Sequence, residues 1–456
     1  MVYDIVFLGG GPAGYEGAIA AAKKGLKTAV IEKQELGGTC LHRGCIPTKT
    51  LLHSVKFIKQ IRDASKWGIH TGEVEIETCK MLDMKNRVVS KLTRGIDYLF
   101  KQNQVELIKG TGKIIAPDKM VINGELEISS RNIVIATGSK PAELPFLKFD
   151  NQRIIHSDTA LELNDIPAKL LVIGAGAIGL EMGIIYGYLG AEVTVVEILD
   201  HILPGTDTEL SGILLKELKK QGIAIHTSTG VEATQVQKDG IHFSFKQDQK
   251  VWEDQFQKVL VSVGRTPVTD QIFAGSLEVK KDPKGYISVN QNLQTDVETI
   301  FACGDVVGPP LLAHKASHQA MAIVDFITEN KKVSHLTVPA AVFTFPEIAS
   351  VGLTETEANQ RGIKIKIARF PYSAGSRSNA IDDKQGLVKV VTDLGNTIIG
   401  AHIVGSEAAE LMPLLTYAVS HQMKAGDFKE LVFIHPTLGE NIWEALGSVG
   451  NFSIHI

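Results

Sequence analysis

Cys40 and Cys45 stand in the stretch Gly37-Gly38-Thr39-Cys40-Leu41-His42-Arg43-Gly44-Cys45-Ile46-Pro47-Thr48-Lys49, with four residues between the two thiols. The chain has four cysteines in all, far too few for a disulfide-stapled secreted scaffold, so a reducing compartment is expected. There a structural disulfide is disfavoured, and a metal centre usually wants four ligands where no second cysteine pair exists. Two readings stay open. A close dithiol can cycle between thiols and disulfide, its thiolate favoured by a helix N-terminus and by Arg43, or both cysteines are inert. Cys79 and Cys303 read as packed small hydrophobes.

Such a pair needs an electron partner, and the elements around it offer two. Gly9-x-Gly11-x-x-Gly14 recurs as Gly174-x-Gly176-x-x-Gly179 at a constant offset of 165 residues (174 − 9 and 179 − 14). Each triplet follows an apolar run, Ile5 to Leu8 and Leu170 to Ile173, and each opens a stretch of small residues at helical density. The second strands, Thr28 to Glu32 and Val193 to Glu197, both end on an acid 18 residues past the last glycine (32 − 14 and 197 − 179). The first glycine permits a tight turn, the second lets a pyrophosphate approach the backbone, and the third packs helix on strand. Helix-terminal N–H groups then face the anion, and the acid is placed to accept from a ribose. Glu197 would repel a 2′-phosphate and Ile198-Leu199-Asp200-His201 offers no Arg or Lys to hold one, so the second site favours NAD over NADP.

At 456 residues the chain should hold about three domains. With 44% hydrophobic residues it can bury several cores, and a formal charge of −4 gives no global attraction for nucleic acid or anionic membrane. Neither is an expected partner. No export signal is visible, and the most membrane-like window, Leu170 to Ala191, is broken by Glu181, so the protein reads as soluble and cytoplasmic. Strand-like runs at Ile133 to Gly138 and Val259 to Gly264 place boundaries near residues 145 and 265. Lys216, Lys219 and Lys220 read as the solvated face of an amphipathic helix. The stripe Leu411, Leu415, Ala418, Val419 and Met423 reads from its spacing as core.

Taken together, Gly9 to Gly14, Cys40 to Lys49, Ala136-Thr137-Gly138-Ser139, Gly174 to Glu181, Gly264-Arg265-Thr266-Pro267, Phe301-Ala302-Cys303-Gly304-Asp305, Phe345 to Gly352 and His435-Pro436-Thr437-Leu438-Gly439-Glu440 make the whole chain closely similar to the flavin-dependent pyridine-nucleotide disulfide oxidoreductases. The resemblance implies an α/β fold of two Rossmann-like dinucleotide-binding domains plus a C-terminal α+β dimerisation domain. Its parts would be an FAD-binding domain (1–145), an NAD-binding domain (146–265), a central segment completing the FAD site (266–332) and an interface domain (333–456). FAD would be held by Gly9, Gly11, Gly14, Glu32, Lys49, Gly112, Thr137, Gly138, Ser139, Asp305, Leu311, Leu312, Ala313 and His314, and NAD by Gly174, Gly176, Gly179, Glu181, Glu197, Val231 and Gly264.

The same resemblance implies catalysis by a redox-active Cys40–Cys45 disulfide and a His435–Glu440 base. Electrons from dihydrolipoamide would pass through the pair and FAD to NAD+, with Lys49 and Glu181 ion-paired near the flavin. Composition alone would not choose His435 from 14 histidines; locally, Pro436 can open a helix that sets Glu440 just over a turn away. His435 would reach the disulfide of a second copy, giving a homodimer whose interface takes part of the leucine stripe. The expected partners are lipoyl domains of 2-oxoacid dehydrogenase or glycine-cleavage complexes. Where relatives carry Leu-Asn-Val-Gly between the cysteines and Ser before the final acid, this chain has Leu41-His42-Arg43-Gly44 and Gly439. Arg43 beside the dithiol would lower a thiol pKa or bias substrate choice. A glutathione-type reductase would carry basic residues near Glu197, a mercuric reductase a C-terminal cysteine pair, and a redox-silent FAD- and NAD-binding structural subunit would not need Cys40, Cys45, His435 and Glu440.

Overall fold

The computed structural model describes residues 2–163, 165–274, 277–334 and 336–455. The chain divides into two compact units, one of Met1–Ala142, Ser157–Leu163 and Gly264–His335, the other of Glu143–His156, Asn164–Val263 and Leu336–Ile456. The first unit begins with β1 (Val2–Leu8), α1 (Pro12–Lys23) and β2 (Thr28–Glu32). There follow α2 (Gly38–Arg43), α3 (Cys45–Asp63) and α4 (Thr78–Gln102), then β3 (Glu106–Lys109), β4 (Gly112–Ala116), β5 (Lys119–Ile122) and β6 (Leu126–Ile135).

Strand order in this unit is β3-β2-β1-β6-β5-β4, with Ile300–Ala302 paired in parallel to the end of β6. Ile5, Val6 and Phe7 are buried on both faces of β1, as a continuous apolar run in a covered parallel sheet must be. α1 starts with Pro12 at its first turn and lays a small-residue face on that sheet. A Cβ at Gly17 would come within 2.6 Å of the Phe7 ring and 2.8 Å of Ala320, so glycine sets how closely α1 approaches both β1 and the helix Ala313–Glu329. Because β1 is flanked by β2 on one side and β6 on the other, its carboxyl end is where the chain's connections part, the place where open α/β sheets bind ligands.

The second unit repeats the plan. Strands Ala224–His226, Glu192–Val196, Lys169–Ile173, Lys258–Val261 and Ile154–Ile155 form a parallel sheet in that order, and helix Ala177–Tyr188 joins its third and second members. Leu170 to Ala191 is thus a buried strand, a turn and a helix. Among the described residues no helix is long and apolar enough to cross a membrane. An antiparallel three-stranded ribbon packs Phe243, Phe245 and Phe256 against this sheet. The remaining antiparallel sheet runs Ala340–Val342, Glu347–Gly352, Ile398–Gly405, Leu387–Asp393 and Ile365–Pro371, and carries helices Ala408–Ser420 and Glu440–Gly450 over a shared core. Leu415 and Ala418 are buried in that core, with Leu411, Val419 and Met423 packed against it.

Behind the same sheet lies a charged lock. Lys389, 2% exposed, donates to both oxygens of equally buried Asp207 at 3.0 and 2.8 Å and meets Glu355 at 2.7 Å and Glu209 at 3.0 Å. Arg369 adds a two-oxygen contact to Glu209. Nothing local in the sequence announces this cluster, whose members are up to 182 residues apart.

Candidate functional site

The three glycines of the first fingerprint do three separate jobs. Gly9 has φ +110°, and a Cβ there would lie 2.3 Å from the Ala136 carbonyl oxygen; one at Gly14 would lie 1.8 Å from the Gly9 oxygen. Both are fixed by the protein's own packing. Gly11 is not: the nearest atom to its would-be Cβ is Gly38 Cα at 4.0 Å, so the space it clears belongs to a ligand. No side chain caps α1, whose first N–H groups are left to an anion. The second fingerprint copies this arrangement. Gly174 (φ +101°) and Gly179 would drive a Cβ to 2.6 Å from Ser262 O and 2.1 Å from Gly174 O, whereas Gly176 has nothing within 4 Å.

The acids repeat as faithfully. Glu32 Oε2 accepts the Gly10 N–H at 2.6 Å and Oε1 that of Gln34 at 2.7 Å; Glu197 accepts from Ala175 at 2.8 Å and Leu199 at 3.0 Å. Each carboxylate ties its glycine turn to its strand and retains acceptor positions for a ribose. Both cradles therefore fit the pyrophosphate and ribose of a dinucleotide.

Other expected cofactor contacts surround the first cradle. Gly112 opens β4, where a Cβ would press to 2.8 Å from Leu8. Thr137 Oγ1 donates to Val268 O at 2.6 Å, Gly138 has φ +70°, and Ser139 Oγ donates to Asp305 Oδ2 at 2.5 Å. Leu311, Leu312, Ala313 and His314 lead into the helix Ala313–Glu329. In the second unit Glu181 is buried on helix Ala177–Tyr188 and accepts the Phe343 N–H at 2.9 Å, and Val231 packs near the aromatic cluster. Gly264 (φ +119°) belongs to the first unit.

Arg265 carries no expected role but is held at the first site. Its Nε donates to Ser139 Oγ at 2.7 Å and its Nη2 to Ser139 O at 2.8 Å. Burial lowers its pKa, opposed by the charges of Asp305 and Asp158 and, more weakly, of Cys45. A half-buried cation thus stands in the field of the dithiol; its motif, Gly264 to Pro267, was the available signal.

The two cysteines are in hydrogen-bond contact, Cys40 half-buried in α2 and Cys45 exposed as the first residue of α3. The Cys40 pKa is pushed up by its hydrogen bond to the Cys45 side chain, then by burial, then by negative charge at Cys45. Against these act the Cys45 backbone N–H and the Lys49 charge. The thiolate is thus disfavoured at Cys40, while Cys45 stands at the positive end of a helix, where negative charge is favoured.

Three expectations need correcting. Arg43 is spent elsewhere: its guanidinium donates to Gln34 and lies 3.7 Å from Asp158, and the cation acting on Cys40 is Lys49. Cys79 is exposed near the start of α4, not packed; Cys303 is buried, its thiol pushed up by burial to about 12. Pro436 does not open a helix but sits in the turn before Glu440–Gly450, so Glu440 is that helix's first residue. The reach survives: His435 Nδ1 is 2.8 Å from Glu440 Oε1, and Glu440 Oε2 accepts the Thr437 N–H at 2.8 Å. A carboxylate only accepts here, so the imidazole proton sits on Nδ1 and Nε2 is left as a base. Among the described residues no group of three or more His, Cys, Asp or Glu could hold a metal ion.

Residues 3–320 match the family model of pyridine nucleotide-disulphide oxidoreductases, and residues 338–446 match that family's dimerisation domain. The chain is 40% identical over 467 residues to a mitochondrial dihydrolipoyl dehydrogenase of Pisum sativum, covering 99% of this chain and 92% of that one. It is 38% identical over 458 residues to a dihydrolipoyl dehydrogenase of Geobacillus stearothermophilus, covering 99% and 97%. Among solved structures, LpdA of Mycobacterium tuberculosis superposes with a TM-score of 0.89 at 26% identity, over 98% of this chain and 99% of that one. With two glycine cradles, a dithiol at a helix N-terminus and a histidine oriented by an acid, this chain belongs to the pyridine nucleotide-disulphide oxidoreductase family.

Proposed function

We propose that the chain oxidises protein-bound dihydrolipoamide to lipoamide and reduces NAD+ to NADH, with FAD between them. The observation that carries this reading is the Cys40–Cys45 pair: two thiols in hydrogen-bond contact, electrostatically unequal, one residue type and spacing with a redox use and no structural one. Relatives of similar length and about 40% identity bear the corresponding name.

The chain's own residues divide the work. In the oxidised pair, a substrate thiol gives its proton to His435 Nε2 and its sulfur attacks Cys40; the Cys40–Cys45 bond breaks, and Cys45 leaves with the electron pair as thiolate. The second substrate thiol attacks the substrate sulfur bound to Cys40, and the departing Cys40 sulfur takes that thiol's proton. That bond breaks, lipoamide departs, and the pair holds two electrons. Glu440 keeps the His435 tautomer fixed and stabilises the imidazolium. Lys49 favours negative charge beside it on the pair. FAD, when bound, supplies two-electron transfer between dithiol and nicotinamide; Gly11, the free N–H groups of α1, Glu32 and the Ser139–Asp305 segment would hold it. Gly176, Glu197 and the apolar Ile198, 76% exposed, favour unphosphorylated NAD.

A homodimer is the assembly we infer. Val432 and Ile434 are 91% and 79% exposed immediately before His435, an apolar approach to a catalytic base that a second copy would cover. The expected carriers of the substrate are lipoyl domains of 2-oxoacid dehydrogenase or glycine-cleavage complexes, and a chain with only four cysteines suits the cytoplasm. The test is a steady-state comparison of dihydrolipoamide and glutathione with NAD+ and NADP+. Turnover of dihydrolipoamide with NAD+ is the expected result; exclusive use of glutathione with NADP+ would overturn it.

A further inference from the structure

The outer face of α4 takes no part in the glycine cradles or the dithiol chemistry, and the helix belongs to the same compact unit as both cysteines. α4 packs on α2 and α3, the helices that carry Cys40 and Cys45. Thr93 Oγ1 sits 3.4 Å from Nε2 of His42, which lies between the two cysteines in sequence. Lys80, Arg87, Lys91 and Arg94 follow one another at intervals of seven, four and three residues, a spacing that puts all four on one side of the helix. They line an open groove of about 810 Å³, in which Asp83 is the one acid. Lys80 is paired with Glu77, but among the described residues Arg87, Lys91 and Arg94 have no ion-pair partner. Met84 and Tyr98 add exposed apolar surface along the same side, at 47% and 60%.

Three uncompensated cations on a chain of formal charge −4 concentrate positive potential on the outer side of a helix whose inner side packs on the helices that carry the reactive pair. A lipoyl arm hangs from a folded carrier, and that carrier must settle within an arm's length of Cys40. We propose that the outer face of α4 is the landing surface for an acidic face of the lipoyl domain, with Arg87, Lys91 and Arg94 setting encounter and register while the arm reaches the dithiol. This rests on the function proposed above. Exposed charges of this kind act mainly on association and its salt dependence, so the carrier, and not the small dithiol, feels their loss.

The FAD-loaded triple variant Arg87→Gln/Lys91→Gln/Arg94→Gln tests it, assayed with NAD+ against free dihydrolipoamide and against a reduced lipoyl domain of net negative charge. The expected result is an unchanged kcat/KM for free dihydrolipoamide, a KM for the domain raised about tenfold, and a flatter salt dependence between roughly 20 and 200 mM. An unchanged KM and salt slope for the domain overturn the proposal. So does retention of a mixed-sequence single-stranded DNA by wild type alone with the domain's KM unmoved, which assigns the face to nucleic acid, or a variant that is monomeric where wild type is dimeric, which assigns it to a second copy. Wild-type enzyme that oxidises neither substrate refutes the functional reading itself, a result distinct from all of these, and removes the landing surface with it.

Discussion

His435 Nδ1 and Glu440 Oε1 are 2.8 Å apart, and the second oxygen of the same carboxylate is held by the Thr437 N–H, so the acid is fastened before it fastens the imidazole. His435→Gln is expected to lower kcat with dihydrolipoamide by about 10² to 10⁴-fold, the usual worth of a positioned base. NADH oxidation by an artificial acceptor should stay within about twofold of wild type. Glu440→Gln, which offers Nδ1 a donor as well as an acceptor, should fall in the same direction with a smaller loss. Equal losses in both assays would point to misfolding.

The two thiols are unequal, and single serine substitutions should show it. Cys45→Ser is expected to abolish dihydrolipoamide oxidation and the long-wavelength absorbance of a thiolate beside bound flavin, with FAD retained. Cys40→Ser should abolish turnover yet keep that absorbance, since Cys45 stands at the helix N-terminus that favours a thiolate. Absorption spectra from pH 5 to 9 decide between them.

The glycines separate ligand space from packing space. Gly11→Ala should fold and melt near the wild-type temperature while binding FAD at least about tenfold more weakly, because its Cβ enters an open cradle. Gly14→Ala, whose Cβ meets a carbonyl oxygen at 1.8 Å, should fail to give folded protein. In the second unit Gly176→Ala should raise the KM for NAD+ with FAD content unchanged. Flavin content and calorimetry read all three.

Lys389→Met leaves Asp207 buried and uncompensated, which costs about 3–5 kcal/mol and should show as a lower melting temperature at pH 7. Burial raises the Glu209 pKa, but hydrogen bonds to Arg369 and Lys389 outweigh it and hold the carboxyl below its ordinary value. A depressed carboxyl contributes stability that is complete above its unfolded pKa of about 4.3 and is lost as pH falls through the lower folded value. Wild type should therefore lose more stability than Lys389→Met on acidification below about pH 4.5, and parallel losses would argue against the lock.

Much of this was legible because it is local. Each nucleotide unit fits within a few dozen residues, its glycines and acid are set by the geometry of one turn, and the 165-residue repeat states that geometry twice. What escaped notice spans the chain. Arg265 meets Ser139 across 126 residues and Lys389 meets Asp207 across 182, and no spacing rule links such pairs. Arg43 departs from its expected role for a related reason: proximity in sequence to Cys40 says nothing about Asp158, which draws the guanidinium away. Cys79 looked like a packed hydrophobe by type alone, while its place near the start of α4 leaves it at the surface. His435 was chosen by resemblance; its own neighbourhood supplied a wrong helix and a right distance.

The carboxylate of Glu197 is already claimed by two main-chain amides, one from the glycine turn and one from the residues after its strand. On the function proposed above, coenzyme preference is thereby tied to the shape of the loop that would hold the pyrophosphate. Swapping the acid to admit a phosphorylated ribose would unfasten that grip, so evolution or an engineer in search of a new coenzyme has a free hand only from the protruding Ile198 onward.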